Sequence, residues 1–365
     1  MRMPRAIIIF FLLISLAAYA RPESAESGVR VVELPLEGYV PDVERGPDGA
    51  LHVAFVADSN LYYSKSTDGG KTFSSPLQVN LDRGNVHGGR YRGPDLTIGG
   101  DGRVHVVWYN NGYQRSLPQD QWGVEYARLA PGESSFSGRR NLNHLPSDNF
   151  SVAADARGRV AVFWTAEGLF ANLSTDGGDS FGEAVRVGEG EIDPCECCAT
   201  RCQFTADGRL YFTYREKADN LRDMHLVELP DIFGKTGSFT RRKISGETWK
   251  IDLCPMTGSW LAPLPNGGLA AAWDNRTTVE FASFGPDGRM QGDAPRTAVD
   301  KGNFPVILQN AAGEILVAWK WKSELFWKLY RNLADQVPRT GSSAGKNSDR
   351  PAGVVTDEGD FLLFP

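Results

Sequence analysis

The sequence predicts an all-β fold, a β-propeller of six or seven four-stranded blades. Many short apolar alternations end at Asp-Gly or Asn-Gly turns, and helical apolar periodicity is scarce. Such turns between alternating runs are typical of β-hairpins in series. A turn-plus-strand pattern also recurs along the chain, and a period of about 46 to 59 residues is typical of one propeller blade.

The recurring pattern is a glycine followed by alternating apolar residues that end in an aromatic six positions later. Clear copies end at Phe55, Trp108, Trp164, Tyr214, Trp273 and Trp319, and a weaker one ends at Phe364. A second repeated position lies eight residues before each glycine, at Pro41, Pro94, Phe150, Thr200, Ser259, Pro305 and Pro351. Each unit therefore begins with an inner strand, a turn and a second strand, and the repeated aromatics are expected to pack between sheets rather than bind ligand.

The seventh unit stops after two strands. The N-terminal stretch 29–36 could complete its sheet, which would remove free edges that otherwise favour aggregation. Six and seven blades both remain open at this point. No linker divides residues 21–365, so we expect a single propeller domain whose oligomeric state the sequence leaves open.

Residues 1–20 are predicted to form a signal peptide. Arg2 and Arg5 precede an apolar run that is too short to span a bilayer, and Ala18 and Ala20 form a small-residue cleavage pattern. Cleavage leaves 37 basic and 45 acidic residues, a formal charge of −8. We expect a secreted or periplasmic protein without a membrane span, and a nucleic acid partner is disfavoured by the negative charge.

Two turns share the spacing S-x-D-x-G-x-x-F, at residues 66–73 and 174–181. Their members are Ser66, Asp68, Gly70 and Phe73, and Ser174, Asp176, Gly178 and Phe181. Short Ser and Asp side chains can bond the amides of their own turn, glycine tolerates a positive φ, and the aromatic can fix the turn on the sheet. We interpret both motifs as structural.

These motifs are Asp-boxes, and the repeat carrying them resembles the sialidase superfamily of propellers over nearly the whole mature chain. The resemblance implies a site at the axial mouth, where three arginines hold a carboxylate, a Tyr–Glu pair is the nucleophile and an Asp is the acid. Arg92 in Y-R-G-P, Arg215 in G-R-L-Y-F-T-Y-R and Arg276 in W-D-N-R resemble the three arginines. Asp120 is the candidate acid.

The nucleophile departs from the family pattern. Phe304 stands where the family has its tyrosine, and a phenyl ring has no hydroxyl to attack an anomeric carbon. Thr200 and Arg201 stand where the activating Glu is expected. The leading hypothesis is therefore a sialidase-like propeller that binds a glycan or another anionic ligand at a mouth lined by Arg92, Arg201, Arg215, Arg276, Arg350 and His87. An active exo-α-sialidase-like glycoside hydrolase is the alternative.

The five cysteines support a further alternative, an envelope protein with a metal or redox site. Cys195, Cys197, Cys198 and Cys202 flank the start of the fourth unit, and Cys254 precedes the fifth. In an oxidising compartment they would form two disulfides and one free thiol, with a pairing that the sequence does not determine. Thiolate donors would also suit a soft metal such as copper(I), although the spacing is not a zinc pattern. No other cofactor is predicted.

Overall fold

The computed structural model of the protein describes residues 28–89, 92–147, 149–234, 238–344 and 350–365. The predicted signal peptide at 1–20 lies outside these residues. Within them, none of the helices has the length and apolar character that crossing a membrane requires. In the described part of the chain the helical elements are three short 3₁₀ turns, at Pro35–Glu37, Gln119–Gln121 and Ala218–Asn220.

The described strands form seven sheets, which confirms the predicted propeller and decides for seven blades. Before the first blade comes β1 (Val29–Val31). Blade 1 contains β2 (Tyr39–Arg45), β3 (Leu51–Ala57), β4 (Asn60–Ser66) and β5 (Leu77–Gln78). Blade 2 contains β6 (Asp95–Ile98), β7 (Val104–Tyr109), β8 (Val124–Leu129) and β9 (Ser137–Asn141). Blade 3 contains β10 (Phe150–Ala154), β11 (Val160–Thr165), β12 (Leu169–Ser174) and β13 (Val185–Val187).

The second half of the chain repeats this order. Blade 4 contains β14 (Arg201–Phe204), β15 (Leu210–Arg215), β16 (Met224–Leu229) and β17 (Thr240–Lys243). Blade 5 contains β18 (Ser259–Pro263), β19 (Leu269–Asn275), β20 (Thr278–Phe284) and β21 (Arg296–Val299). Blade 6 contains β22 (Asn303–Gln309), β23 (Ile315–Trp321), β24 (Glu324–Tyr330) and β25 (Arg339–Ala344). Blade 7 contains β26 (Ala352–Val355) and β27 (Phe361–Phe364), and β1 is its third strand.

The inner strands close a ring. Each inner strand contacts the inner strand of the following blade, and the last contacts the first. In order these strands are β2, β6, β10, β14, β18, β22 and β26. The two ends of the described chain are joined by β1, which pairs in parallel with β27. Val29 lies opposite Phe361, and Val31 lies opposite Leu363. The amide of Gly28 also donates to the Asp360 carboxylate at 2.7 Å. The N-terminal stretch thus completes the seventh sheet, although only three of its residues form the strand.

The up-and-down order of each blade sorts its connections to two ends of the propeller. The turn from inner to second strand and the turn from third to outer strand lie at one end, here called the turn face. The second-to-third hairpins and the connections between blades lie at the other, here called the loop face. His87, Arg276, Arg350 and the cysteine-rich connection before β14 therefore share the loop face, as the repeat predicts.

The two S-T-D-G-G turns lie at the turn face and hold themselves together. Asp68 accepts hydrogen bonds from the Lys71 and Thr72 amides at 3.0 and 2.9 Å, and Ser66 Oγ accepts one from Gly70. Asp176 accepts the Ser180 amide in the same way at 2.9 Å. Each turn then docks on the preceding blade: the ring of Phe73 meets Phe364 edge to face, and that of Phe181 meets Tyr126.

Candidate functional site

The propeller axis carries a ring of side chains that come one residue after each repeated inner-strand position. They are Asp42, Asp95, Ser151, Arg201, Trp260, Val306 and Ala352. Three of them join neighbouring inner strands. Asp42 accepts the Leu96 amide at 2.8 Å, Asp95 accepts the Val152 amide at 3.0 Å, and Ser151 accepts the Cys202 amide at 2.9 Å. The first half of the ring is therefore connected blade to blade by side-chain acceptors.

Arg201 lies inside this ring rather than at an open mouth. Its guanidinium makes two hydrogen bonds of 3.1 Å to the Asp42 carboxylate, a close ion pair with Asp95, and a cation–π contact of 4.4 Å with Trp260. Arg350 adds a second positive charge beside Asp42 and Asp95. Burial raises the pKa of Asp42 to about 7 despite the attraction of Arg201. The structure therefore brings Arg201 and Arg350 together around two acidic side chains.

Glu44 faces the same ring from the turn face, where a cavity of about 500 Å³ is lined by Glu44, Arg201 and Trp260. Burial raises the pKa of Glu44 to about 8, and the Thr97 hydrogen bond and Arg201 only partly oppose this. A carboxyl group whose folded-state pKa lies above its unfolded value binds more protons when folded. Its contribution to stability is therefore lost as the pH rises from about 4.5 to 8.

We expect Glu44→Gln to raise the free energy of unfolding at pH 8 by about 1 to 2 kcal/mol, because the amide removes a buried ionisation. At pH 4.5 the variant and the wild type should agree. Urea unfolding at several pH values between these limits measures the difference. Glu183→Gln, on an exposed side chain after β12, controls for the change in net charge. Parallel stability curves for Glu44→Gln and wild type would contradict the assignment.

The three arginines that resemble the sialidase clamp do not meet in one cavity. Arg215 is 1 % exposed and donates to the Arg222 and Asp274 carbonyls at 2.8 and 2.7 Å. Arg276 lies on an exposed hairpin with a positive φ and donates to the Thr248 carbonyl. Arg92 lines a different, peripheral groove. A shared carboxylate clamp is therefore not assembled by these three guanidinium groups.

The two other residues suggested by the family pattern also lie apart. Asp120 is an exposed residue of the short 3₁₀ turn in the β7–β8 hairpin. Phe304 lies at the loop-face end of β22, in a bulge where its backbone has a φ of 50°. The Asp120 carboxyl and the position of the missing tyrosine hydroxyl thus belong to blades 2 and 6, on opposite parts of the ring.

A groove of about 680 Å³ opens at the loop face between blades 2 and 3. Its lining includes five aromatic side chains, those of Tyr109, Tyr113, Trp122, Trp164 and Phe170, together with Leu145, Pro146 and Ala166. Tyr113 is 75 % exposed and meets Trp122 edge to face, with ring centroids 5.7 Å apart. Trp164 and Phe170 stack almost in parallel at 4.5 Å. The groove therefore offers both a fixed stacked pair and a projecting ring.

The long β7–β8 hairpin positions the projecting rings. Trp122 Nε1 donates to the Leu117 carbonyl at 2.8 Å, which fixes the indole along the hairpin. A Cβ atom at Gly112 would come within 2.4 Å of the Trp122 ring, so a glycine is needed for this close packing. Asn110 donates to the Gln121 carbonyl at 2.8 Å and ties the two arms together. The platform of Tyr113 and Trp122 is thus built by local contacts.

Polar groups of both signs complete the groove. They are His87, Arg92, Asn110, Ser147, Thr165, Glu167 and Glu196. Glu196 Oε1 accepts the Glu167 amide at 2.9 Å and the Lys217 ammonium at 3.2 Å, so this carboxylate is held in place. His87 packs against Tyr109, with ring centroids 6.2 Å apart. Of the predicted ligand-binding residues, His87 and Arg92 are the pair that the groove brings together.

The cysteines differ from the expected two disulfides. Cys197 and Cys254 form one disulfide, whereas Cys195, Cys198 and Cys202 are free thiols. Cys202 lies in β14, in the core between blades 3 and 4, away from the other four. The Sγ atoms of Cys195 and Cys198 are 3.3 Å apart and in hydrogen-bond contact, not covalently joined. Cys202 is thus part of the core because it lies in β14, and the sulfurs of Cys195, Cys197, Cys198 and Cys254 lie together.

Sequence reasoning missed most of the groove. Tyr113 and Trp122 lie in a hairpin whose length is particular to blade 2, so no repeated position pointed to them. Trp164 was assigned to packing, and at 3 % exposure it does pack, yet one edge of it also lines the groove. Asp42 and Asp95 had a usable signal, since both directly follow the repeated proline.

No family model and no curated sequence matches this chain. Among solved structures, a protein of unknown function from Dyadobacter fermentans is 15 % identical with a TM-score of 0.52, covering 87 % of this chain and 97 % of that one. NanB sialidase from Streptococcus pneumoniae is 11 % identical with a TM-score of 0.50, covering 78 % and 65 %. YCF48 bound to D1 peptide is 14 % identical with a TM-score of 0.50, covering 85 % and 84 %. This chain is similar to these proteins in fold, a β-propeller of the kind that sialidases share.

Proposed function

We propose that this protein is an exported glycan-binding propeller whose binding site is the groove between blades 2 and 3. The observation that carries the proposal is the groove itself, with five aromatic side chains beside charged and amide groups. A saccharide presents apolar C–H faces and a rim of hydroxyl groups. Aromatic rings pack against the C–H faces, and fixed polar groups such as Glu196 and Asn110 form hydrogen bonds with the hydroxyl groups.

The size and the mixed charges of the groove favour a short oligosaccharide. A volume of about 680 Å³ lies within the usual range of ligand pockets. Arg92 and His87 can bind a carboxylate or a hydroxyl group, whereas Glu167 and Glu196 accept hydrogen bonds from hydroxyl groups. Both neutral and acidic sugars therefore fit the chemistry, and the propeller fold shared with NanB sialidase supports the proposal at the level of architecture only.

Binding without sialoside hydrolysis is the form of the proposal that the geometry supports. Arg215 is occupied by Asp274 and backbone carbonyls, and Phe304 has no nucleophilic hydroxyl. An oxocarbenium-like transition state needs a nucleophile and an acid on the two sides of one sugar ring. Phe304 supplies no nucleophile, and Asp120 is an exposed residue of the β7–β8 hairpin that is not among the residues lining the groove.

The test is a glycan array of neutral and sialylated oligosaccharides, followed by calorimetric titration with the best-retained sugar. We expect Tyr113→Ala to weaken its affinity about ten-fold, because the ring is exposed and its removal costs stacking area rather than fold stability. Val337→Ala changes a side chain of similar exposure at the turn face and should leave the affinity unchanged. A fluorogenic sialoside should not be turned over.

Two results would contradict the proposal. Equal affinity in Tyr113→Ala and wild type would remove the groove as the site, and sustained sialoside turnover by pure protein would favour the glycoside hydrolase alternative. Far-UV circular dichroism of both variants confirms that the comparison is made between folded proteins.

A further inference from the structure

Four cysteine sulfurs meet at the loop face, where the connection before β14 approaches the connection before β18. The Sγ atoms of Cys195, Cys197, Cys198 and Cys254, here called the cysteine cluster, all lie within 4.8 Å of one another. Cys195 and Cys198 are buried, whereas Cys254 is exposed. The cluster thus has a buried floor and one side chain open to solvent.

The distances from Cys195 Sγ to the other three sulfurs are close to those of a tetrahedral thiolate site, whereas Cys197 and Cys254 are joined by a disulfide and must separate on reduction. A metal–sulfur bond of about 2.3 Å in tetrahedral geometry separates the sulfur atoms by about 3.8 Å. Cys195 Sγ lies 3.6 Å from Cys197 Sγ, 3.7 Å from Cys254 Sγ and 3.3 Å from Cys198 Sγ. The adjacent residues Cys197 and Cys198 reach the same point because the chain turns sharply there, with the Cys198 amide donating to the Cys195 carbonyl.

Positive charges and N–H donors lie close to two sulfurs of the cluster. The guanidinium groups of Arg215 and Arg222 act on Cys195 through their positive charge, and Arg215 acts on Cys198 as well. The backbone amides of Met256 and Thr257 are directed at the Cys198 sulfur. Cations and N–H donors near a sulfur favour its thiolate form, whereas the Cys198 hydrogen bond and burial oppose that form at Cys195.

We propose that the cysteine cluster binds one thiophilic d¹⁰ ion, Cu(I) or Zn(II), when all four of its cysteines are reduced. Thiolate ligands without oxygen donors select these ions over Mg²⁺ or Ca²⁺. The structure holds the oxidised form, in which Cys197 and Cys254 share a disulfide. A dithiol reductant breaks that bond by supplying two electrons and two protons and itself becomes a disulfide. The four thiols then release four protons as the ion binds.

The inference does not depend on glycan binding, because bound metal is counted directly, even though Glu196 of the same connection lines the groove. The experiment uses full-length mature protein, reduced with a dithiol under argon and freed of metal by a chelator. Either Zn(II) or Cu(I) is then added, and bound metal is counted after desalting. Co(II) in place of Zn(II) gives a sulfur-to-cobalt charge-transfer band whose intensity reports the number of thiolates.

We expect one ion per chain in the reduced wild type and none in the oxidised protein. Cys254→Ala should weaken binding by roughly 100-fold or more, since a lost ligand costs at least as much as a lost supporting contact. Cys202→Ala is the matched control, because Cys202 is a buried cysteine outside the cluster, and it should bind like wild type. Competition between Zn(II) and Cu(I) for the reduced wild type decides which ion is preferred.

The proposal is overturned if the reduced wild type retains neither ion, or if Cys254→Ala and Cys198→Ala retain metal as the wild type does. Cys254 has an exposed side chain, so its replacement tests the cluster even if Cys198→Ala fails to fold. Circular dichroism before metal addition identifies any variant that has lost its sheets.

Discussion

Replacing Arg201 by methionine is expected to lower the free energy of unfolding by about 3 to 5 kcal/mol at pH 7. The change leaves Asp42 and Asp95 buried without the guanidinium that bridges them, and a buried charge without its partner is strongly destabilising. The loss should shrink towards pH 5, because burial raises the pKa of Asp42 to about 7 and its carboxyl group then takes up a proton. Urea unfolding at the two pH values measures both effects.

Two further variants sharpen this test. Arg276→Met removes an exposed arginine whose pairing with Glu247 spans 3.9 Å, and it should change stability by less than about 0.5 kcal/mol. Adding Asp42→Asn to Arg201→Met should recover part of the loss, because one buried carboxylate is removed and Asp95 is left beside Arg350. A loss below about 1 kcal/mol, or one that is the same at both pH values, would contradict the axial ion cluster.

Gly178→Ala is expected to cost about 2 to 4 kcal/mol, the second largest effect. Gly178 has a φ of 77°, and a Cβ atom there would come within 1.8 Å of the Tyr126 hydroxyl. That hydroxyl is 2.8 Å from His105 Nδ1 in the core of blade 2, so it cannot move aside freely. The cost combines left-handed backbone strain with overpacking at the junction of blades 2 and 3.

Gly182 provides the control for this prediction. It follows Phe181 in the same turn, and the nearest atom to a Cβ there would be the Leu173 carbonyl oxygen at 3.8 Å. Gly182→Ala should therefore be nearly neutral in thermal unfolding. Similar melting temperatures for Gly178→Ala and Gly182→Ala would show that the turn is not docked on blade 2 as described.

The fold could be predicted because its signal is repeated. Trp108, Trp164 and Trp273 occupy equivalent places in different blades, so each copy supports the others. The sequence could not decide between six and seven blades, because that depended on whether Val29–Val31 would pair with a strand at the far end of the chain. Pairing across that distance leaves no local pattern in three residues.

The site was harder to predict, because an arginine in the sequence does not show which group its side chain will bind in the folded protein. The connectivity correctly places Arg201 and Arg215 at the loop-face ends of their strands. Asp42 is 159 residues from Arg201, however, and Asp274 is 59 residues from Arg215. Only the folded ring shows that these guanidinium groups are held by acidic neighbours. The aromatic groove was missed for a related reason, since its platform lies in a hairpin that the repeat does not contain.

The parallel pairing of β1 with β27 also constrains how the molecule is made. Gly28 emerges from the ribosome 332 residues before Asp360, to which it is bonded in the finished ring. Throughout synthesis the first strand therefore has no partner, and the β26 side of blade 1 is uncovered. Unsatisfied strands are prone to associate with other chains. Premature folding of the first six sheets would thus create an intermediate that needs protection until the final residues arrive.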